Sequence, residues 1–183
     1  GGLQDNYSWI APSAAPGGVN NSHWLSLNGG DGFWVQPDNT DPDIVYAESQ
    51  GGNANRINIK TTKAVGIKPQ QVAGEEKLRW NWNTPIVTGV AGKKNLYMAA
   101  QYLYKSTNQG KDWKRISPDL TTNDKKKQEQ ENSGGLSADN TSAENHCTIF
   151  TLAESPLDEN IIWVGTDDGN LQYTTDGGAS WNN

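Results

Sequence analysis

The side chains of this sequence that could do chemistry are short clusters of carboxylates and amides. They are Gln4 with Asp5 and Asn6, then Asp31, Glu48 with Gln50, Gln101, Glu144 with His146, and Asp167 with Asp168. Hydrolysis of a sugar bond needs two carboxyl groups flanking it, about 5–5.5 Å apart for retention or about 6.5–9.5 Å for inversion. Asp5 or Asp31 could each be one partner of such a pair, with the other on a facing blade. Without a facing partner, the same clusters would form a polar rim that hydrogen-bonds a peptide or a glycan.

Other chemistries find less support. Binding a sialic acid carboxylate takes a group of arginines, and the chain has only Arg56, Arg79 and Arg115. The run Asp167-Asp168-Gly169-Asn170 and the pair Asp139-Asn140 offer oxygen ligands, but neither follows the spacing of a calcium loop. Calcium is therefore the one metal with suitable ligand types, and no cofactor is expected. His23 and His146 do not combine with Cys147 into a zinc pattern. Cys147 is the sole cysteine and lies in the apolar run Cys147-Thr148-Ile149-Phe150, which fits a buried, unreactive thiol.

The elements that must position these residues are short strands. Of 183 residues only 33% are hydrophobic, yet there are 8 Trp, 6 Tyr and 20 Gly. Such a composition suits many tight turns, because Gly and Asn accept the backbone angles these need. Net charge is −6 and the only basic cluster is Lys125-Lys126-Lys127. That balance does not suit a nucleic-acid partner, which requires clustered cations. No apolar run reaches membrane-spanning length, so no membrane insertion is expected.

Internal repeats define the architecture. Ser106, Asn108, Gly110 and Trp113 match Thr174, Asp176, Gly178 and Trp181 in the pattern Ser/Thr-x-Asp/Asn-x-Gly-x-x-Trp, the Asp-box. The Asp or Asn side chain would cap backbone amides across a hairpin, the Gly would take positive φ, and the Trp would pack back onto the sheet. Upstream of each box, Tyr97 to Gln101 parallels Trp163 to Asp167, and Tyr46 to Gln50 has the same shape; Gly1 to Gln4 is a fourth copy without its aromatic. The closing polar residues at 4, 50, 101 and 167 are spaced by 46, 51 and 66 residues, as expected for four-stranded propeller blades.

The chain thus reads as all-β, a single partial β-propeller over residues 1–183 with about three and a half blades. Blade one is incomplete (1–28), and blade two covers 29–83, with its outermost strand expected at Leu78-Arg79-Trp80. Blade three covers 84–117, an insertion runs from 118 to 145, and blade four covers 146–183. An insertion of that length is more often functional than an ordinary connector. Trp80 and Trp82 alternate, which places them on one strand face and suggests packing between blades. In this topology the turns after each second strand meet the connections between blades on one face. The polar clusters would therefore converge at the mouth of the central channel.

Several segments resemble one known family: Gly2-Leu3-Gln4-Asp5-Asn6, Gly29 to Phe33, Arg79 to Ile86, Ile116 to Thr121, Ser142 to Ile149 and Trp163 to Gly169. They are similar to sortilin-like, bacterial-neuraminidase-repeat propellers, which are often secreted or envelope-associated and often labelled glycosyl hydrolases. The resemblance spans nearly the whole chain. It implies a larger propeller of which this chain is a fragment, neighbouring blades or a partner chain at its edges, and an extracytoplasmic bacterial location. The expected function is non-catalytic recognition of a peptide or glycan at the channel mouth. The alternative is part of a xyloglucanase-like glycoside hydrolase.

Overall fold

A computed structural model describes residues 1–90, 93–129 and 145–183. Among these, thirteen strands form four antiparallel sheets arranged as successive blades of a partial β-propeller. The first pairs β1 (Ser8–Ile10) with β2 (Leu25–Asn28), and a bridge from Gly2 to Ser8 adds a rudimentary third line. The second is a meander of β3 (Gly32–Pro37), β4 (Ile44–Ser49), β5 (Asn53–Asn58) and β6 (Lys63–Gly66). The third repeats it with β7 (Ile86–Thr88), β8 (Leu96–Ala99), β9 (Leu103–Ser106) and β10 (Lys114–Arg115). The fourth has β11 (Ile149–Glu154), β12 (Ile162–Thr166) and β13 (Leu171–Thr174), with a bridge from Tyr173 to Asn182 marking the outermost line.

One expectation is corrected. The outermost strand of blade two is Lys63–Gly66, not Leu78-Arg79-Trp80, which is irregular backbone. All four residues of that strand are exposed, so it lacks the apolar alternation that marks a half-buried strand. The alternation at Trp80 and Trp82 has another cause. Trp80 is buried between blades and stacks on Tyr104 at 6.3 Å between ring centroids, so its packing role holds without a strand.

The core sits at the joints between blades, because successive side chains of a strand point to opposite faces. In β4, Val45 and Ala47 pack with Leu27 of blade one, whereas Ile44 and Tyr46 pack with Ile86, Leu96 and Met98 of blade three. In β8, Tyr97 and Ala99 turn to Ile149, Ile162 and Val164 of blade four. Blades two and three are thus apolar on both faces, and each face is covered by a neighbouring blade.

The two octapeptide repeats are hairpins that also tie blades together. Asn108 Oδ1 accepts from the Asp112 amide (2.9 Å), and Ser106 Oγ accepts from the Gly110 amide (2.9 Å). The second hairpin repeats these bonds, from the Ser180 amide to Asp176 (2.9 Å) and from the Gly178 amide to Thr174 Oγ1 (3.0 Å). Each Trp then reaches to the preceding blade. Trp113 Nε1 donates to the Ile67 carbonyl (2.6 Å), and Trp181 Nε1 donates to the Ile116 carbonyl (3.1 Å).

Gly178 shows why no other residue fits there. Its φ is 98°, and an added Cβ would lie 2.4 Å from the Ile116 carbonyl oxygen. Gly110, with φ 75°, lies in the same way against Ile67, 2.9 Å from its Cβ.

Candidate functional site

The turns after each second strand and the connections between blades share one face, and hydrogen bonds lock them to each other. In blade two the turn residue Gly51 donates to the Trp82 carbonyl (3.0 Å), and Lys68 Nζ donates to the Gly51 carbonyl (2.7 Å). In blade three Gln101 is fully buried; its Oε1 accepts from the Arg79 amide (2.8 Å) and its Nε2 donates to the Lys77 carbonyl (3.0 Å). Gln101 therefore fastens the connection from blade two to blade three.

Glu48, near the corresponding turn of blade two, is fully buried as well. Its Oε1 accepts from the Gly52 amide (3.1 Å) and the Thr84 amide (3.3 Å), while Oε2 has no hydrogen-bond partner among the described residues. Burial pushes this carboxyl up to about 8, against the pull of the Gly52, Thr84 and Trp34 amides and the Lys68 charge. Burial thus favours the protonated form of Glu48. Lys68 is held below the usual lysine value by its own burial.

Blade four gathers a second polar cluster. Asp167 accepts from the Thr148 amide (2.9 Å) and hydroxyl (2.6 Å), and Asn81 Nδ2 donates to Thr148 Oγ1 (2.9 Å). His146 Nδ1 lies 3.7 Å from Asp167 Oδ2 with the ring half-buried. Asp168 Oδ2 accepts from the Thr122 amide and hydroxyl (both 2.7 Å), and Oδ1 accepts from Thr166 Oγ1 (2.5 Å). Burial alone would raise the Asp168 carboxyl, but the Thr166 and Thr122 bonds outweigh it and hold it below the ordinary value.

Gln4, Asp5 and Asn6 stand apart from these, because their side chains are exposed on a loop with fixed backbone. The Leu3 amide donates to the Tyr7 carbonyl (2.9 Å), the Tyr7 amide to the Gly30 carbonyl (3.2 Å), and the Gly32 amide to the Leu3 carbonyl (3.0 Å). Asp31 is buried and its Oδ1 accepts from the Asp5 amide (2.8 Å). The clamp holds Asp5 at φ 63° and Tyr7 at φ 66°, the left-handed region that bulky residues avoid. Such strained positions cost about 1–3 kcal/mol each and persist only where the surroundings over-determine them. The Gln50 side chain lies against Gly30, so it belongs to this corner as well.

The structure therefore sorts the expected rim residues. Gln4, Asp5, Asn6, Asp31 and Gln50 come together at blades one and two. His146, Asp167 and Asp168 come together at blade four, and Glu48 and Gln101 are buried between turns. Glu144, and the oxygen ligands Asp139 and Asn140, lie outside the described residues. Among the described residues there is no group of three or more His, Cys, Asp or Glu side chains placed to hold a metal.

Three contributors were not singled out by sequence as site residues. Tyr7 is half exposed beside Asn6, and Asn81 joins Thr148 to Asp167. Arg79 is buried with all three guanidinium nitrogens engaged, by the Cys147 carbonyl (3.0 Å), Glu76 (3.0 Å), Asp119 (2.6 Å) and Thr121 (3.3 Å). It is unavailable to a substrate anion. Cys147 is fully buried, and burial pushes its thiol up, away from the reactive thiolate.

No protein-family model matches the sequence, and no curated protein matches it. Solved structures do resemble it. The GH74 xyloglucanase of Xanthomonas campestris aligns with TM-score 0.53 and 19% identity, over 96% of this chain and 22% of that one. The GH74 enzyme of Niastella koreensis aligns with TM-score 0.50 and 20% identity, over 84% of this chain and 22% of that one. At such identity the likeness concerns the fold, which is a β-propeller, and this chain spans about a fifth of those proteins' length. No helix among the described residues is long and apolar enough to cross a membrane.

Proposed function

We propose that this chain is a non-catalytic recognition segment of an extracytoplasmic β-propeller, binding a peptide or glycan at the channel-mouth face. The observation that carries the proposal is the contrast between one displayed loop and its tethered surroundings. Gln4, Asp5, Asn6 and Tyr7 are exposed on a strained backbone clamped from behind by Asp31. The other carboxylates of this face, Glu48, Asp167 and Asp168, each accept hydrogen bonds inside turns. A fixed loop carrying amides, a carboxylate and a phenol binds at low ordering cost.

Asp31 is poorly placed to serve as one carboxyl of a hydrolytic pair. Asp31 spends one carboxylate oxygen on the Asp5 amide and lies buried behind the loop, rather than across a cleft from it. Isothermal titration of the chain against peptide and glycan libraries tests the proposal. Binding that Asp5→Ala and Asn6→Ala abolish supports it, and silence in both libraries counts against it. Turnover of β-glucans that disappears in Asp5→Asn would replace it with the hydrolase.

A further inference from the structure

Between the outer edges of blades two and three runs an open groove of about 680 Å³, a volume typical of ligand clefts. Tyr104 and Trp113 line it. Tyr104 pairs with Arg115 across β9 and β10, which puts both side chains on one face. Tyr104 is only 8% exposed, yet its phenol has no hydrogen-bond partner among the described residues. A buried tyrosine hydroxyl ordinarily finds one. Burial raises this phenol above its ordinary value, with the Arg115 charge opposing and the Glu75 charge adding. The hydroxyl therefore keeps its proton and lies within reach of both charges.

The fold does not demand a phenol at this point. Tyr104 stands two residues before Ser106 of one box, and Gln172 stands two before Thr174 of the other. Gln172 Nε2 donates to the Leu120 carbonyl (3.2 Å), so the joint of blades three and four satisfies the equivalent group within the chain. At the joint of blades two and three the equivalent group is a phenol with no such acceptor.

The rest of the lining narrows the chemistry of a ligand. Trp113 is anchored by its indole bond to the Ile67 carbonyl, so its ring is held in place before anything binds. Arg115 lies over the Tyr102 ring at 4.8 Å and pairs with Glu75 at 3.1 Å. Lys111 and Asp112 complete the lip, and Lys68, which also lines the groove, is engaged by the Gly51 carbonyl (2.7 Å). Cations and carboxylates nearly balance, which gives a phosphate little advantage. A wholly apolar guest would strip water from these charges without replacing it. A sugar ring suits both features. Its C–H face packs on an aromatic ring, and its hydroxyls donate and accept in turn.

We propose that this groove is a saccharide-binding site, taking a pyranose unit of a glycan against Trp113. One sugar hydroxyl bonds Tyr104 Oη, and others meet Asp112, Lys111 and the Glu75–Arg115 pair. The site lies on the perimeter of the arc and stands independently of recognition at the channel mouth.

Nuclear magnetic resonance of the chain tests this, with tetrasaccharides of glucose, xylose, mannose and galactose as probes. With at least one of them, the Trp113 indole signal and the Tyr104, Lys111 and Arg115 amides should shift together and saturate. Tyr104→Phe should weaken that binding about fivefold, the worth of one hydrogen bond. Should Tyr104→Phe not fold, Glu75→Ala on the exposed lip is read in its place, with a similar loss expected. Silence across the panel overturns the proposal, as do shifts that the substitution leaves unchanged. Shifts confined to the loop from Gln4 to Tyr7 support recognition at the mouth and overturn the groove. Saturable binding at the groove signals by a peptide library, and by no sugar, overturns it as well.

Discussion

Trp113 donates its indole N–H to the carbonyl of Ile67, at 2.6 Å, from the hairpin of one blade to the end of the blade before it. Trp181 repeats the bond with Ile116 at 3.1 Å. These tryptophans fasten joints as well as hairpins. Trp113→Phe and Trp181→Phe keep most of the apolar contact and remove only the donor. Each should lower unfolding free energy by about 1 kcal/mol in urea titrations, the usual net worth of such a bond.

Glycine substitution separates backbone strain from collision. In Gly178→Ala the new Cβ meets the Ile116 carbonyl at 2.4 Å as well as an unfavourable φ of 98°. Gly169 has φ 102° but open space where a Cβ would go. Gly169→Ala should therefore cost about 1 kcal/mol and Gly178→Ala clearly more, about 2–4 kcal/mol. Thermal melts of the two variants side by side check this order.

Glu48 gives stability a pH dependence of known sign. Its folded carboxyl is raised from 4.5 to about 8 by burial, so the folded chain holds this proton more tightly than the unfolded chain. The contribution is complete below the ordinary carboxylate range and is lost as pH rises through about 8. Melting temperature should fall across that window, and Glu48→Gln should flatten the fall.

Arg79 couples two connections and the start of blade four through buried bonds. Arg79→Met leaves Asp119 short of its 2.6 Å partner and should cost about 3–5 kcal/mol in chemical denaturation. Lysine at this position should not rescue it, because a single ammonium cannot reach the same spread of acceptors.

Asp5 and Asp31 should separate binding from loop order. Asp5 contributes its backbone amide to the clamp and leaves its side chain exposed, whereas Asp31 contributes its carboxylate. Asp5→Asn, which accepts the left-handed backbone as readily, should weaken ligand binding at unchanged melting temperature. Asp31→Ala should weaken binding and also speed amide hydrogen exchange at Asp5.

The blade frame was legible because its signals are local. The octapeptide boxes carry their own turn chemistry, and Tyr46, Tyr97 and Trp163 mark the second strands of blades two, three and four. Strand Lys63–Gly66 was not legible, since four exposed residues leave no burial pattern. Leu78 to Trp80 imitated a strand because their burial comes from a neighbouring blade. At the rim, sequence located the polar positions but not their availability. Glu48 and Gln101 occupy the same kind of turn as Gln4, yet only contacts distant in sequence, such as Arg79 with Gln101, show which ones are consumed.

The indole links also impose an order in time. The carbonyl of Ile67 must wait for a tryptophan 46 residues later, and that of Ile116 for one 65 residues later. On the ribosome, each blade is therefore finished only by the synthesis of its successor. Its outer edge stays unlatched for as long as that stretch takes to emerge.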